Sequence, residues 1–111
     1  MPVIDKAERI RALNDAFRSS NTARTLVLTR GVAALNPTLQ RQIILALASF
    51  DRFDADNDPY GEHDFGAFTV SGHRLFFKID YYDRSCLHHS PDPADPAVTC
   101  RVLTLMLADE Y

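Results

Sequence analysis

No apolar run in this chain approaches the roughly 20 residues that a membrane-spanning helix needs. The first stretch, MPVIDKAERIRAL, is charged and amphipathic where a secretory leader is apolar. Membrane insertion is set aside on these grounds, and a cytoplasmic location is expected. The two cysteines, Cys86 and Cys100, are too few for a disulfide framework. There is no internal repeat, no low-complexity tract and no Gly/Ser linker, which excludes solenoids and tethered modules. The patterns G-x-x-x-x-G-K-[ST], G-x-G-x-x-G, G-x-S-x-G and H-E-x-x-H are all missing.

What is present is 111 residues, 46% apolar and 24% charged, the ordinary composition of one globular domain. A single domain over 1–111 is expected. The net charge of −3 is unevenly spread. Residues 1–50 carry seven basic and three acidic side chains, and residues 51–111 carry five and twelve. Six carboxylates fall between Asp51 and Asp64 against the single Arg52. Such asymmetry suggests an interaction surface. Clustered positive charge, which nucleic acid would want, is absent, so direct nucleic-acid binding is not expected. The bland alternative is a solvated acidic loop.

The spacing of Ala7, Ile10, Leu13 and Phe17 predicts a helix over about 5–18, capped by Asp5 and ended by Ser19-Ser20-Asn21. Arg24 to Arg30 reads as a strand that Gly31 breaks. Asn36-Pro37 starts a second helix whose buried stripe is Leu39, Ile43, Ile44, Leu47 and Phe50. Asp64–Val70 and His73–Tyr82 flank Ser71-Gly72, a hairpin with a two-residue turn. That register sets Phe68 opposite Leu75, Ala67 opposite Phe76 and Phe65 opposite Lys78, and extends to His63 opposite Asp80. Leu75, Phe77, Ile79 and Tyr81 then face the core. A last strand over about 98–107 is apolar on both faces, which requires cover or a central place in the sheet. The expected fold is α+β, in the order α-β-α-β-β-β. Two helices pack on one face of a mostly antiparallel sheet of about four strands.

Four motifs carry chemistry. D-A-D-N-D-P at 54–59 alternates carboxylates as calcium loops do, but Pro59 and Phe65 stand where such a loop needs Gly and Glu. Glu62-His63-Asp64 places an imidazole among carboxylates, and Asp80 across the hairpin would orient it. Cys86, His88 and His89 match no zinc spacing, and Cys100 reads as a small core residue. Ser90 to Pro96 is a proline-stiffened loop, suited to a partner or simply to a rigid connection.

Several blocks carry a resemblance. D-N-D-P-Y-G-E-H-D-F-G at 56–66, K-I-D-Y-Y-D at 78–83, S-P-D-P-A-D-P at 90–96 and R-V-L-T at 101–104 resemble the signature of a small bacterial family of unknown function. That family is mainly alphaproteobacterial and often plasmid-borne or mobile-element-borne. The resemblance runs from about Thr25 to Tyr111. It implies special roles for Asp56, Asn57, Asp58, Gly61, Glu62, His63, Asp64, Lys78, Asp80, Tyr82 and Arg101. The family has Trp where this chain has Phe77, and Thr where it has Cys100.

Two functions follow as expectations. The first is a protein-binding or regulatory module, such as a mobile-element accessory protein or inhibitor acting through the acidic 51–64 surface. Its surface would comprise Asp56, Asn57, Asp58, Glu62, His63, Asp64, Phe65, Phe76, Lys78, Asp80 and Tyr82. The second is a small metal-assisted hydrolase or nuclease. His63 would be its general base, oriented by Asp80, with Asp56, Asp58, Glu62 and Asp64 holding the ion. The first takes precedence. It needs no cofactor and no membrane, and an exposed edge strand offers a second copy a place to pair.

Overall fold

The computed structural model describes residues 5–20 and 25–111. Helix α1 spans Lys6–Ser19, strand β1 Leu26–Leu28, helix α2 Arg30–Ala33 and helix α3 Pro37–Ala48. Strands β2 (Phe65–Val70), β3 (His73–Tyr82) and β4 (Cys100–Leu107) follow, with 3-10 turns at Pro96–Val98 and Ala108–Glu110. The expected α+β order holds for the two long helices and the four strands. It lacked α2, a single turn inserted directly after β1. The expected first strand is correspondingly shorter, since Arg30 opens α2, and Arg24 lies outside the described residues, as does Asn21. Gln40 explains how so short a helix is held. Its amide donates to the carbonyls of Val32, Ala33 and Leu35 at the C-terminal end of α2, where helix carbonyls lack intrahelical partners.

The sheet order is β1-β4-β3-β2, antiparallel except where β1 lies parallel to β4. β4 is therefore central, which accounts for its apolar residues on both faces. The hairpin register is Val70↔His73 through Phe65↔Lys78, as the two-residue turn requires. Ser71 and Gly72 both have positive φ, 50° and 81°, the primed turn whose twist matches the strands. The ladder stops there. Asp64 still offers its carbonyl to Ile79 N–H at 2.8 Å, but His63 turns away with φ 57°. The expected pairing of His63 with Asp80 is therefore not formed.

One face of the sheet meets the helices. Leu75, Phe77, Ile79 and Tyr81 from β3 and Leu103 and Leu105 from β4 are buried there with Val32, Leu39, Ile43, Leu47 and Phe50. Gly66 on β2 permits this packing, because a Cβ there would overlap the rings of Phe77 and Phe50. In α3 the predicted stripe holds, save that Ile44 is only half-buried. α1 is capped by Asp5, which accepts Ala7 N–H, but its buried face differs from the expected one. Ile10, Asn14 and Arg18, four residues apart, point inward, while Ala7 and Leu13 are half-buried. Two of these three inward side chains are polar.

Candidate functional site

The acidic segment 51–64 is held by its own carboxylates. Asp54 accepts the N–H groups of Asp56 and Asn57 at 2.9 and 3.0 Å, and the Asn57 side chain accepts Asp54 N–H and donates to Arg52 O. Asp58 is buried, and one of its oxygens accepts both Glu62 and His63 N–H at 3.0 Å. This is the ordinary use of Asp and Asn in turns. The segment then lies against α1: Arg11 donates to Gly61 O, and Asn14 donates to Glu62 O, both at 3.0 Å.

Beneath that contact sits a buried polar network. Asn14 is fully buried. Its amide donates to Tyr81 Oη at 2.8 Å, and its carbonyl oxygen accepts from Arg101 Nε at 2.7 Å. Tyr81 in turn donates to Glu62 Oε1 at 2.8 Å, and Arg101 also donates to Pro93 O. The Arg101 guanidinium lies 5.3 Å from the centre of the Tyr81 ring. The network thus ties α1, the acidic segment, β3, β4 and the proline loop together. Burial raises the Tyr81 hydroxyl far above the usual phenol range, and the bond it donates to Glu62 adds to the rise. Tyr81 is therefore a neutral donor here. Burial also lowers Arg101 from its ordinary value, against the pull of Tyr81 and Glu62.

His63 belongs to the same brace. Its Nδ1 is 2.8 Å from Asp15 Oδ1, and its Nε2 is 3.7 Å from Asp58 Oδ2. Its ring stacks on Phe53 with centroids 3.8 Å apart and planes 5° from parallel. Arg18 completes the arrangement, bonding Asp15 and Phe50 O while its guanidinium lies over the Phe53 ring. The carboxylate that orients His63 is thus Asp15, from α1. Asp15 holds Nδ1, while Nε2 faces Asp58 at more than hydrogen-bond distance. Lys78, not His63, is the partner of Asp80, at 3.2 Å.

The other face of the sheet has a different character. Phe65, Phe76 and Tyr111 form a triangle with centroids 5.3–5.8 Å apart. Beside it lie the Lys78–Asp80 ion pair and Tyr82, all half-buried. A groove of about 300 Å³ opens next to them, lined by Asp64, Asp80, Tyr82 and His89 among others. Burial, followed by the nearby Glu62, raises the Asp64 carboxyl above the usual range.

The single surface expected from the sequence therefore divides. Asp58, Glu62 and His63 are turned into the brace, Asp56 is exposed on the loop, and Phe65, Phe76, Lys78, Asp80 and Tyr82 lie on the outer sheet face. Among the described residues, no three His, Cys, Asp or Glu side chains converge as a metal would need. The sequence reading missed Asn14, Asp15, Arg18 and Tyr111. The only signal for the first and third was their spacing, four and eight residues on from Ile10.

The chain belongs to the family described as "Protein of unknown function (DUF3768)", whose model matches residues 28–110. Helix α1, which supplies Arg11, Asn14, Asp15 and Arg18 to the brace, precedes the matched region. No curated protein and no solved structure matches the chain.

Proposed function

We propose that this chain is a protein-binding module that docks a partner on the outer face of its sheet. The observation behind this is the aromatic triangle of Phe65, Phe76 and Tyr111, on the face opposite the helices and flanked by the Lys78–Asp80 pair and Tyr82. Aromatic anchors with a charged rim are the composition of interface cores and their borders. The two edge strands, β1 and β2, border the same face. The resemblance to a mobile-element family makes a bacterial host protein the natural partner, with the chain as an accessory protein or inhibitor.

The acidic surface plays a smaller part in this reading than the charge count suggests. Asp58 and Glu62 serve internal bonds, so Asp51, Asp54 and Asp56 are what the segment offers outward. The rival metal-assisted hydrolase has no comparable observation in its favour, since among the described residues Asp56, Asp58, Glu62 and Asp64 do not converge and His63 Nδ1 is held by Asp15.

The test is affinity capture from bacterial lysate with the wild type, with Phe76→Ser and Tyr82→Ser, and with Asp51, Asp54 and Asp56 replaced by Asn together. Circular dichroism verifies the fold of each. A partner lost with both aromatic variants and kept by the triple variant supports the sheet face. A partner lost only with the triple variant overturns it in favour of the acidic loop. A partner indifferent to all three overturns both.

A further inference from the structure

We propose that Cys86 and Cys100 are a reversible dithiol–disulfide site, which on oxidation closes the segment 86–100 into a covalent ring. Their sulfurs are 3.3 Å apart, with the Cys86 thiol directed at Cys100. A disulfide needs about 2 Å, so side-chain rotation by little more than 1 Å brings the pair to bonding distance. The backbone holds both ends for this. Cys100 opens β4 opposite Tyr82, and Tyr82 also bridges to His89. Between them the chain folds into a tight turn, closed by Asp83 N–H to His88 O at 2.8 Å and Cys86 N–H to Asp83 O at 2.9 Å. The Asp83 carboxylate fastens the same turn by accepting from Ser85 Oγ and from Leu87 and His88 N–H.

The conformation of Cys86 is a second and independent pointer. Its φ is 60°, the left-handed region in which glycine or asparagine is the ordinary occupant. A side chain held at such a position without need is strained, and strain of this kind gathers at working sites. Here the left-handed residue is the one whose thiol meets Cys100. Cys86 is also exposed, so an oxidant in solution reaches it, while Cys100 is half-buried behind it.

The chemistry balances with a small-molecule disulfide such as oxidised glutathione. The Cys86 thiolate attacks one sulfur of the oxidant, forming a mixed disulfide and releasing one glutathione thiolate. The Cys100 thiolate then attacks the Cys86 sulfur and releases the second. Two protein thiols become one disulfide, and one glutathione disulfide becomes two thiols. The bond Cys86 donates to Cys100, with partial desolvation, holds the Cys86 thiol above its usual value, so oxidation accelerates as pH rises. The ring so formed contains Pro93, whose carbonyl anchors Arg101, and it ends beside Tyr82 on the outer face.

The experiment equilibrates the full chain in glutathione buffers of graded ratio, then alkylates free thiols and measures intact mass and linked peptides. The expected result at the oxidising end is a monomer about 2 Da lighter with no alkylated thiol. It yields one peptide linking Cys86 to Cys100 and melts higher than the reduced form. Reduction with dithiothreitol restores both thiols. Cys86→Ser and Cys100→Ser each give a single glutathione adduct and no linked peptide. Two alkylated thiols at the oxidising end, two separate glutathione adducts, or a covalent dimer would each overturn the proposal.

Discussion

Replacing Asn14 by Ala tests whether the polar network is the brace of this fold. The substitution removes three hydrogen bonds at a fully buried site: to Glu62 O, to Tyr81 Oη and from Arg101 Nε. The first two are neutral, worth about 1 kcal/mol each, and the third involves a charged donor, worth about 1.5–3 kcal/mol. The expected loss is therefore about 3.5–5 kcal/mol, a large part of the roughly 5–15 kcal/mol that holds a domain folded. At this chain length each kcal/mol is worth about 4 °C, so the midpoint falls by about 14–20 °C. Urea unfolding followed by circular dichroism measures it, with tyrosine emission as a second probe because the chain has no tryptophan. Asn14→Leu separates the causes. It refills the volume but leaves the same groups unpaired, so the loss persists. A loss below about 1 kcal/mol for Ala, or a Leu variant as stable as the wild type, would refute the reasoning.

Two further outcomes follow from the same structure. Asp64 has its folded carboxyl raised above the unfolded value, so its contribution favours folding at low pH and is lost as pH rises through the raised value. Asp64→Asn is accordingly expected to raise the melting temperature at pH 7, with the gain vanishing below the ordinary carboxylate range; equal melting of the two proteins at pH 7 would contradict this. Gly66→Ala drives a methyl group into the Phe77 and Phe50 rings and should cost about 1–3 kcal/mol in urea titrations. A neutral result there would mean the helix layer yields easily.

Local chemistry was what the sequence displayed well. Ser71-Gly72 dictated its turn, and the turn dictated every pair from Val70↔His73 to Phe65↔Lys78. Asn36-Pro37 capped α3 as such pairs do, with the Asn36 side chain accepting Leu39 N–H at 2.8 Å. The extrapolation failed two residues past the ladder, because continuing a strand assumes extended backbone and His63 has φ 57°. Long-range polar partners were hidden for a related reason. Asp15 and His63 are 48 positions apart, and Asn14 and Arg101 are 87 apart. A hydrophobic stripe drawn on α1 assigns Asn14 and Arg18 to water, whereas the fold buries both because each finds partners on another element. The parallel placement of β1 against β4 was equally hidden, since nothing within a strand of three residues encodes its neighbour.

The charge count illustrates the deeper limit. Six carboxylates in a row of fourteen residues read as a negative surface, yet a carboxylate is also the side chain best able to gather several N–H donors in a turn. Asp58 collects two where it is buried, and Glu62 takes the Tyr81 hydroxyl. A charge satisfied in this way contributes little to recognition, because a partner would have to displace bonds already made. Composition counts such groups equally with Asp51 and Asp56, which remain exposed. On the outer sheet face the logic is reversed. Phe65 and Phe76 are only half-buried and Tyr111 is exposed, and a partner's apolar surface would remove more of their area from water at no cost in existing bonds. The capacity for binding therefore rests on rings that the net charge does not register.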